Sequence, residues 1–455
     1  MTYRGHLRAL MKLGLPLIGG NLAQFAISFT DAVMLGWYDV GALAAQVLAG
    51  MVLFVLFLFG TGLANAVMPL VAEAEAAGDP MRVRRVTRMG LWAAAAFSLM
   101  CLPVFLMARP LLLALGQEEV LAGLAADYLR IAGFGVIFAL IGAVLKSFLS
   151  GLEHTGVVLW STLLAAVVNA VANYALIFGH WGAPEMGIRG AAVAALAANA
   201  VQFLALWAYA GLRRPLRGYA IFGRLWRADW PALGLVVRLG LPIGLTALAE
   251  VGFFAASSVM MGWLGPLPLA AHGIVLQISS ATFLVHMGLS SATTVRAGRA
   301  VGRRDPEGLR RGGLVAIAVS GVFAALSVVL FLSLPAELIG LFLDPADPRR
   351  AEVLAVGIGL MAAAALFQVM DAAQVMALGL LRGVRDTRAP MLMAALAYWG
   401  IGMPASAILG FPAGLGGVGI WLGLTIGLAV AAVLLMWRFW ARVLPRTLTE
   451  DRAPH

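Results

Sequence analysis

The stretch LGLPIGLTALAEVGFFAASSVMMGWLG, residues 239–265, carries one carboxylate, Glu250, among apolar residues. Its length and composition predict a helix that crosses a membrane, because about 20 apolar residues span the hydrocarbon core. An ionisable side chain at that depth costs roughly 2.5–3.5 kcal/mol on insertion scales and is therefore a functional candidate. Glu250 is the first candidate site residue.

A second copy of this stretch lies near the N-terminus. KLGLPLIGGNLAQFAISFTDAVMLGW at 12–37 aligns with RLGLPIGLTALAEVGFFAASSVMMGW at 238–263, an offset of 226 residues. The register continues for roughly 75 residues, through Gly62 on Gly288. Two copies in the same orientation imply two bundles related by an axis along the membrane normal, with substrate and ion sites at or near their interface.

The composition is that of a polytopic membrane protein: 62% of the residues are hydrophobic, 12% are charged and the mean hydropathy is +0.93. We predict an all-α membrane protein with twelve transmembrane helices in two pseudo-symmetric six-helix bundles. The predicted spans are about 12–36, 44–72, 87–109, 121–146, 156–179, 188–210, 233–263, 270–297, 312–334, 351–380, 388–410 and 416–441. The expected domains are an N-terminal lobe over 1–210, a cytoplasmic linker over 211–231 and a C-terminal lobe over 232–455.

The net charge of +10 follows the membrane topology. With both termini in the cytoplasm, all but five of the 32 Lys and Arg residues fall on the inner side, the exceptions being Arg109, Arg130, Arg189, Arg349 and Arg350. This asymmetry sets the orientation by the positive-inside rule. The basic residues are expected to meet anionic lipid head groups, and no nucleic-acid partner is predicted.

Two polar groups are expected at two depths. Glu250 and Asp371 each lie 11 or 12 residues from an inner arginine, about 17 Å above the inner boundary and close to the midplane. Asp31 and Asn173 lie about 28 Å above it, near the outer leaflet, by the same rise per residue. Asn169 precedes Asn173 by four residues and shares its helix face.

The mid-depth carboxylates have no basic residue near them in sequence and predict a coupling site. Two acids at one depth can share one proton or coordinate one hard monovalent cation such as Na⁺, whereas two unpaired ionised acids would be prohibitively desolvated. A structural role, with hydrogen bonds across helices, is the alternative for Glu250, Asp371 and Asp31. Interhelical hydrogen bonding is likewise the alternative for Asn169 and Asn173.

Other residues carry weaker signals. Met260 and Met287 could line an adaptable pocket for apolar ligands, and His286 could relay protons, with core packing as the alternative for all three. Asp127 and Tyr128 are interpreted as an anchor at the outer interface. Cys101 is the single cysteine, so an intrachain disulfide is excluded, and no nucleotide-binding or hydrolase motif is present. No cofactor is predicted beyond the coupling ion.

LFQVMDAAQVMALGLLRGVRDTRAP at 366–390, NAVANYALIFG at 169–179 and the internal repeat resemble the MATE family of multidrug efflux transporters, in its bacterial NorM-like branch. The resemblance covers nearly the whole chain. It implies export of cationic, amphipathic drugs in exchange for Na⁺ or H⁺ through a central cavity. It places Glu250 and Asp371 at a C-lobe cation site. The protein is expected to be a monomer in the bacterial inner membrane.

The same resemblance places Asp31, Asn169 and Asn173 at an N-lobe polar site. The sequence departs from the family at two positions: Phe367 stands where many members carry a tyrosine, and Ala195 replaces a hydroxyl residue. The candidate substrate-cavity residues are Met260, Met287, His286 and Phe367. A lipid-linked saccharide flippase of the same superfamily is the alternative. It would require a cationic cavity to bind a pyrophosphate, whereas this sequence has acids at mid-membrane. An intramembrane enzyme is less well supported, because no nucleophile–base or metal-binding pattern is present.

Overall fold

The computed structural model describes the backbone of residues 1–450 and the side chains of residues 1–447. Twelve helices in that part are long and apolar enough to cross a membrane. They are α1 (Tyr3–Tyr38), α2 (Val40–Ala76), α3 (Pro80–Leu106), α4 (Glu119–Gly151), α5 (Thr155–Phe178), α6 (Ile188–Leu212), α7 (Trp230–Leu264), α8 (Pro266–Gly302), α9 (Pro306–Ser333), α10 (Arg350–Gly383), α11 (Arg388–Gly410) and α12 (Gly416–Thr447). The prediction of twelve spans is confirmed.

Most of these helices extend beyond the predicted spans. α1 has 36 residues where the sequence predicts about 25, and its length of roughly 54 Å exceeds a hydrocarbon core of about 30 Å. High hydropathy identifies only the part of a helix that lies in the hydrocarbon core of the membrane. The ends are polar or amphipathic and continue as helix because their backbone groups bond within the helix.

The sequence repeat is visible in the way α3 and α9 begin. The Asp79 carboxylate accepts a hydrogen bond from the Arg82 amide (2.9 Å), and the Asp305 carboxylate accepts one from the Gly308 amide (2.7 Å). A proline follows each aspartate at the first helical position. Aspartate caps and a proline at this position satisfy or remove the amides that a helix start leaves unpaired. The two halves therefore start these helices identically.

The chain packs into two compact units. The first consists of Met1–Ile18 and Leu245–His455, and the second of Gly19–Gly244. The boundaries fall inside α1 and α7, near Pro16 and Pro242, and not in the linker. A proline in a helix interior removes a backbone hydrogen bond and allows a bend. Each of these two helices thus begins in one unit and ends in the other.

In the second unit, the first part of α7 packs closely on α2. A Cβ atom on Gly62 would lie 2.4 Å from the Gly244 amide nitrogen and 2.6 Å from the Gly240 carbonyl oxygen. Both neighbours are backbone atoms, so only glycine permits this approach. The absence of a side chain at Gly62 brings the two helix backbones together.

The first unit repeats this contact between α1 and α8. A Cβ atom on Gly288 would lie 2.8 Å from the Ile18 amide nitrogen, and one on Gly14 would lie 3.2 Å from a Leu289 side-chain carbon. These residues are the equivalents, by the offset of 226, of the α2 and α7 residues that meet in the second unit. The internal repeat therefore encodes a pair of matching helix contacts.

The linker is fixed to α2 and α3 within the second unit. Its backbone carbonyls accept hydrogen bonds from Arg84 (at Tyr219, 2.6 Å), Arg88 (at Gly223 and Arg224, both 3.2 Å) and Trp92 (at Leu225, 2.7 Å). The Tyr219 hydroxyl also bonds to the Glu75 carboxylate, and the Arg85 guanidinium pairs with the Asp229 carboxylate. The hydrogen bond from Arg85 lowers the pKa of Asp229 below its usual range. Part of the basic surface of α3 therefore holds the linker.

We expect Gly62→Ala to lower thermal stability. The added methyl group would meet backbone atoms, and overpacking of this kind typically costs about 1–3 kcal/mol. Gly50→Ala on the same helix is the control, because nothing lies within 4 Å of a Cβ atom there. Thermal unfolding in detergent measures both variants, and a Gly62→Ala variant as stable as the control would contradict the close contact.

We expect Asp229→Asn to expose the linker to trypsin. Because the pKa of Asp229 is lowered, its pair with Arg85 stabilises docking above the unfolded value of about 3.9 and is lost as the pH falls through the folded value. The variant should release the linker at neutral pH, so that cleavage after Arg224 and Arg227 becomes faster. The control is Glu119→Gln, which breaks an exposed ion pair with Arg109. Equal linker cleavage in both variants would show that the Arg85 pair does not hold the linker.

Candidate functional site

The structure brings together the three outer polar residues that the sequence predicts. Asp31 on α1 is 6% exposed, and Asn169 and Asn173 on α5 are fully buried. The Asn173 amide donates hydrogen bonds to the Asp31 carboxylate (2.5 Å) and to the Asn169 side-chain oxygen (3.2 Å). A carboxylate buried between helices thus has an amide donor, as a buried charge requires.

A phenol lies beside this group. Tyr128 on α4 is 5% exposed, is close enough to Asp31 to interact electrostatically, and hydrogen bonds to Gln46 of α2. The interpretation of Tyr128 as an interface anchor is wrong, because its ring points into the unit. Its neighbour Asp127 takes the outer position and pairs with Arg189 at 2.8 Å.

The outer group is incompletely satisfied. The Asn169 side chain lies within hydrogen-bonding reach of Asp31, and the Asn173 side-chain oxygen is buried without a hydrogen-bond partner among the described residues. Buried polar atoms nearly always have one. The group therefore has an acceptor oxygen available beside Asp31, which suits a site that gains and loses a proton, a water molecule or a cation.

The first unit contains the two mid-depth carboxylates. Asp371 on α10 is 1% exposed, and Glu250 on α7 is partly buried. The two side chains are close enough to interact electrostatically. One oxygen of each, Oδ1 of Asp371 and Oε1 of Glu250, is buried and has no hydrogen-bond partner in the part of the chain that the structure describes. The arrangement offers unpaired acceptor oxygens from two helices.

Arg382, the arginine expected at the inner boundary, also belongs to this group. Its guanidinium interacts electrostatically with Glu250. Arg382 is three helical turns from Asp371 in the sequence, but Glu250 lies on a different helix, and packing of α7 against α10 sets that distance. When all three groups are ionised, the group carries two negative charges and one positive charge.

Two further polar residues of α10 lie beside Asp371. Gln368 and Gln374 flank Asp371 at spacings of three residues, which places them on neighbouring turns of one face. Both glutamines are fully buried, and the side-chain oxygen of each has no hydrogen-bond partner among residues 1–447. This spacing is visible in the sequence, but Gln368 and Gln374 were not predicted from it as site residues. Tyr398 of α11, which accepts a hydrogen bond from Gln374 (2.6 Å), has no such signal, since no spacing links α11 to α10.

The four predicted substrate-cavity residues take different positions. Met260 and Phe367 belong to the apolar core of the first unit, where the Phe367 ring packs against Trp421 with centroids 5.3 Å apart. His286 is fully buried and shares a hydrogen bond of 2.8 Å with Ser320 of α9, whereas Met287 is 39% exposed. Their role in a substrate cavity stays a prediction.

Comparison with known proteins adds a family and a fold. The MatE family model matches residues 16–175 and 242–408, one segment in each half of the repeat. The chain is 47% identical over 448 residues to a probable multidrug resistance protein NorM of Rhizobium meliloti, with 98% of this chain and 96% of that protein covered. It is 45% identical over 438 residues to the protein of the same name from Agrobacterium fabrum, with 96% and 94% covered.

A solved structure with the same fold is that of the eukaryotic MATE transporter AtDTX14. The two structures agree with a TM-score of 0.86 over 99% of each chain, at 18% sequence identity. At that identity the likeness concerns the fold alone. The all-α architecture predicted from the sequence is confirmed by this agreement.

We expect Asn173→Leu to destabilise the protein by about 1.5–3 kcal/mol, the range for a lost hydrogen bond to a charged group. The loss should be smaller when Asp31→Asn is already present, because the buried group is then neutral. Thermal unfolding of the single and double variants forms a mutant cycle that isolates the pair. Equal losses in both backgrounds would show that the Asn173 amide does not stabilise a charged Asp31.

Proposed function

Because the chain belongs to the MatE family of membrane transporters, we propose that it exports cationic, amphipathic drugs and other xenobiotics in exchange for Na⁺ or H⁺. It is a multidrug efflux transporter and not an enzyme. The observation that supports the exchange is the group around Glu250 and Asp371, where unpaired carboxylate oxygens are buried in the membrane-spanning part of the protein.

The chemistry of coupling follows from the cost of burying charge. An ionised carboxylate in a low-dielectric interior is stabilised by a bound cation, and a protonated one needs none. A bound ion can shift the protein between conformations only by binding them with different affinities. Glu250 and Asp371, on different helices, change their separation when α7 and α10 move. A cation held by both would therefore favour one packing of these helices.

The group around Asp31 is proposed as a second coupling site. Its carboxylate can switch between an ionised form that accepts the Asn173 amide or holds a cation and a protonated form that donates a hydrogen bond. The unpaired side-chain oxygen of Asn173 is available as an acceptor for that proton or cation. Each form favours a different packing of α1 against α5.

The substrates are proposed to be organic cations. Carboxylates in a low-dielectric site attract a delocalised positive charge and repel an anion. The alternative of a lipid-linked saccharide flippase is not favoured, because the relatives are named as multidrug resistance proteins. In addition, the group around Glu250 and Asp371 has more acids than bases. Among the described residues, Arg382 interacts electrostatically with Glu250, so the group holds one cation and two carboxylates.

The protein is a multi-pass membrane protein. We place it in the bacterial inner membrane as a monomer with both termini in the cytoplasm. The concentration of Arg and Lys on one side of the spans supports that orientation, and those residues would also meet anionic lipid head groups.

We expect Glu250→Gln and Asp371→Asn each to reduce ion-driven efflux to the level of passive leak. The neutral side chains keep the shape of the site but hold no cation and exchange no proton. The measurement is efflux of an ethidium-like dye from proteoliposomes under separately imposed sodium and proton gradients, which also identifies the coupling ion. Glu352→Gln is the matched control, because Glu352 is an exposed acid at the start of the same helix as Asp371.

Two outcomes would overturn the proposal. Dye efflux at the wild-type rate in both neutral variants would remove the two carboxylates from the coupling step. Transport of an anionic lipid pyrophosphate without transport of organic cations would assign the chain to the flippase alternative.

A further inference from the structure

Tyr398 occupies a defined position beside the two carboxylates. It lies in a π-helical segment, Leu396–Gly402, within α11 and is fully buried. Its ring stacks on Phe253 of α7, with centroids 5.3 Å apart and an interplanar angle of 12°. Such π-helical segments are rare and occur frequently at functional sites.

The hydroxyl group of Tyr398 is fixed but only partly used. It accepts a hydrogen bond from the Gln374 amide at 2.6 Å, and this is its one hydrogen bond among the described residues. Its hydrogen and its second lone pair remain available. Tyr398 is close enough to Glu250, Asp371 and Arg382 to interact electrostatically with all three. A buried phenol is therefore held next to the charged groups by a dedicated amide.

The neighbouring unpaired atoms are all acceptors. Glu250, Asp371 and Gln374 each have one buried side-chain oxygen without a hydrogen-bond partner. Buried oxygens without donors are rare, and hard cations bind through oxygen ligands. A cation or a proton at this position would satisfy oxygens that no residue of the described part satisfies.

We propose that the Tyr398 hydroxyl is a further oxygen of the coupling-ion site formed by Glu250 and Asp371, held in place by Gln374. This inference rests on the proposed coupling role of the two carboxylates and extends their site to α11. The ion is then held by groups from α7, α10 and α11. The stack on Phe253 positions the ring, and the hydrogen bond from Gln374 orients the hydroxyl.

The test is Tyr398→Phe, which keeps the ring and its stack and removes only the oxygen. In proteoliposomes, the concentration of the driving ion that gives half-maximal dye efflux should rise about tenfold, as for one lost hydrogen bond of about 1.4 kcal/mol. The maximal rate at saturating ion should stay near the wild-type rate. Sodium and protons are titrated separately, so the shift appears for the ion that drives transport. Tyr38→Phe, which removes a half-exposed hydroxyl bonded to Glu185, is the control and should shift nothing.

A binding measurement without transport keeps the inference testable if efflux is weak. Thermal unfolding in detergent is followed against NaCl concentration and against pH, since an ion that binds the folded protein raises its stability. Tyr398→Phe and Gln374→Leu should both need more of the coupling ion for the same stabilisation. Wild-type ion dependence in Tyr398→Phe, with or without a lower maximal rate, would make Tyr398 a packing residue. Wild-type ion-driven efflux in both Glu250→Gln and Asp371→Asn would instead overturn the proposed coupling role of the two carboxylates.

Discussion

The cost of burying a carboxylate in a membrane helix governs the polar structure of this protein. Each buried acid has to meet donors, a proton or a cation, because lipid supplies none of them. In the second unit, the Asn173 amide donates a hydrogen bond to the Asp31 carboxylate, and Tyr128 and Asn169 lie nearby. In the first unit, Glu250 and Asp371 each have one oxygen without a hydrogen-bond partner among the described residues, and the Arg382 guanidinium lies near Glu250. The two units thus apply different solutions to the same physical problem.

The shared framework explains how both solutions fit one fold. Gly62 and Gly288 allow the first parts of α7 and α1 to approach α2 and α8 at backbone distance, so each unit contains the same helix contact. The chemistry diverged on that framework. The position equivalent to Asp31 is Ser257, whose hydroxyl donates to the Phe254 carbonyl of its own helix at 2.7 Å. Because the Ser257 hydroxyl is hydrogen-bonded within its own helix, it needs no partner on another helix. The fold therefore does not require a carboxylate at this position.

The group around Glu250 and Asp371 is built from segments of three helices, and all of these segments belong to the first unit. Glu250 on α7, Asp371 and Gln374 on α10, and Tyr398 on α11 present mostly acceptor oxygens, while Arg382 contributes a positive charge near Glu250. Acceptors without donors favour a bound cation, and a guanidinium near Glu250 limits the net negative charge that the unoccupied site must bear. The acceptor oxygens attract a cation and the positive charge of Arg382 weakens that attraction, so an ion could both enter and leave the same site.

The sequence by itself determined the twelve spans, the repeat and the identity of the buried acids. These depend on local hydropathy and on the cost of charge in lipid, which are properties of single segments. Even the pairing of Asp31 with Asn173 could be anticipated, because their depths follow from the helical rise. The places of Arg382, Tyr128 and Tyr398 were decided only by tertiary structure. Which helices are neighbours, and which faces they turn to one another, depends on packing between segments far apart in the chain, and no periodicity within one segment records it.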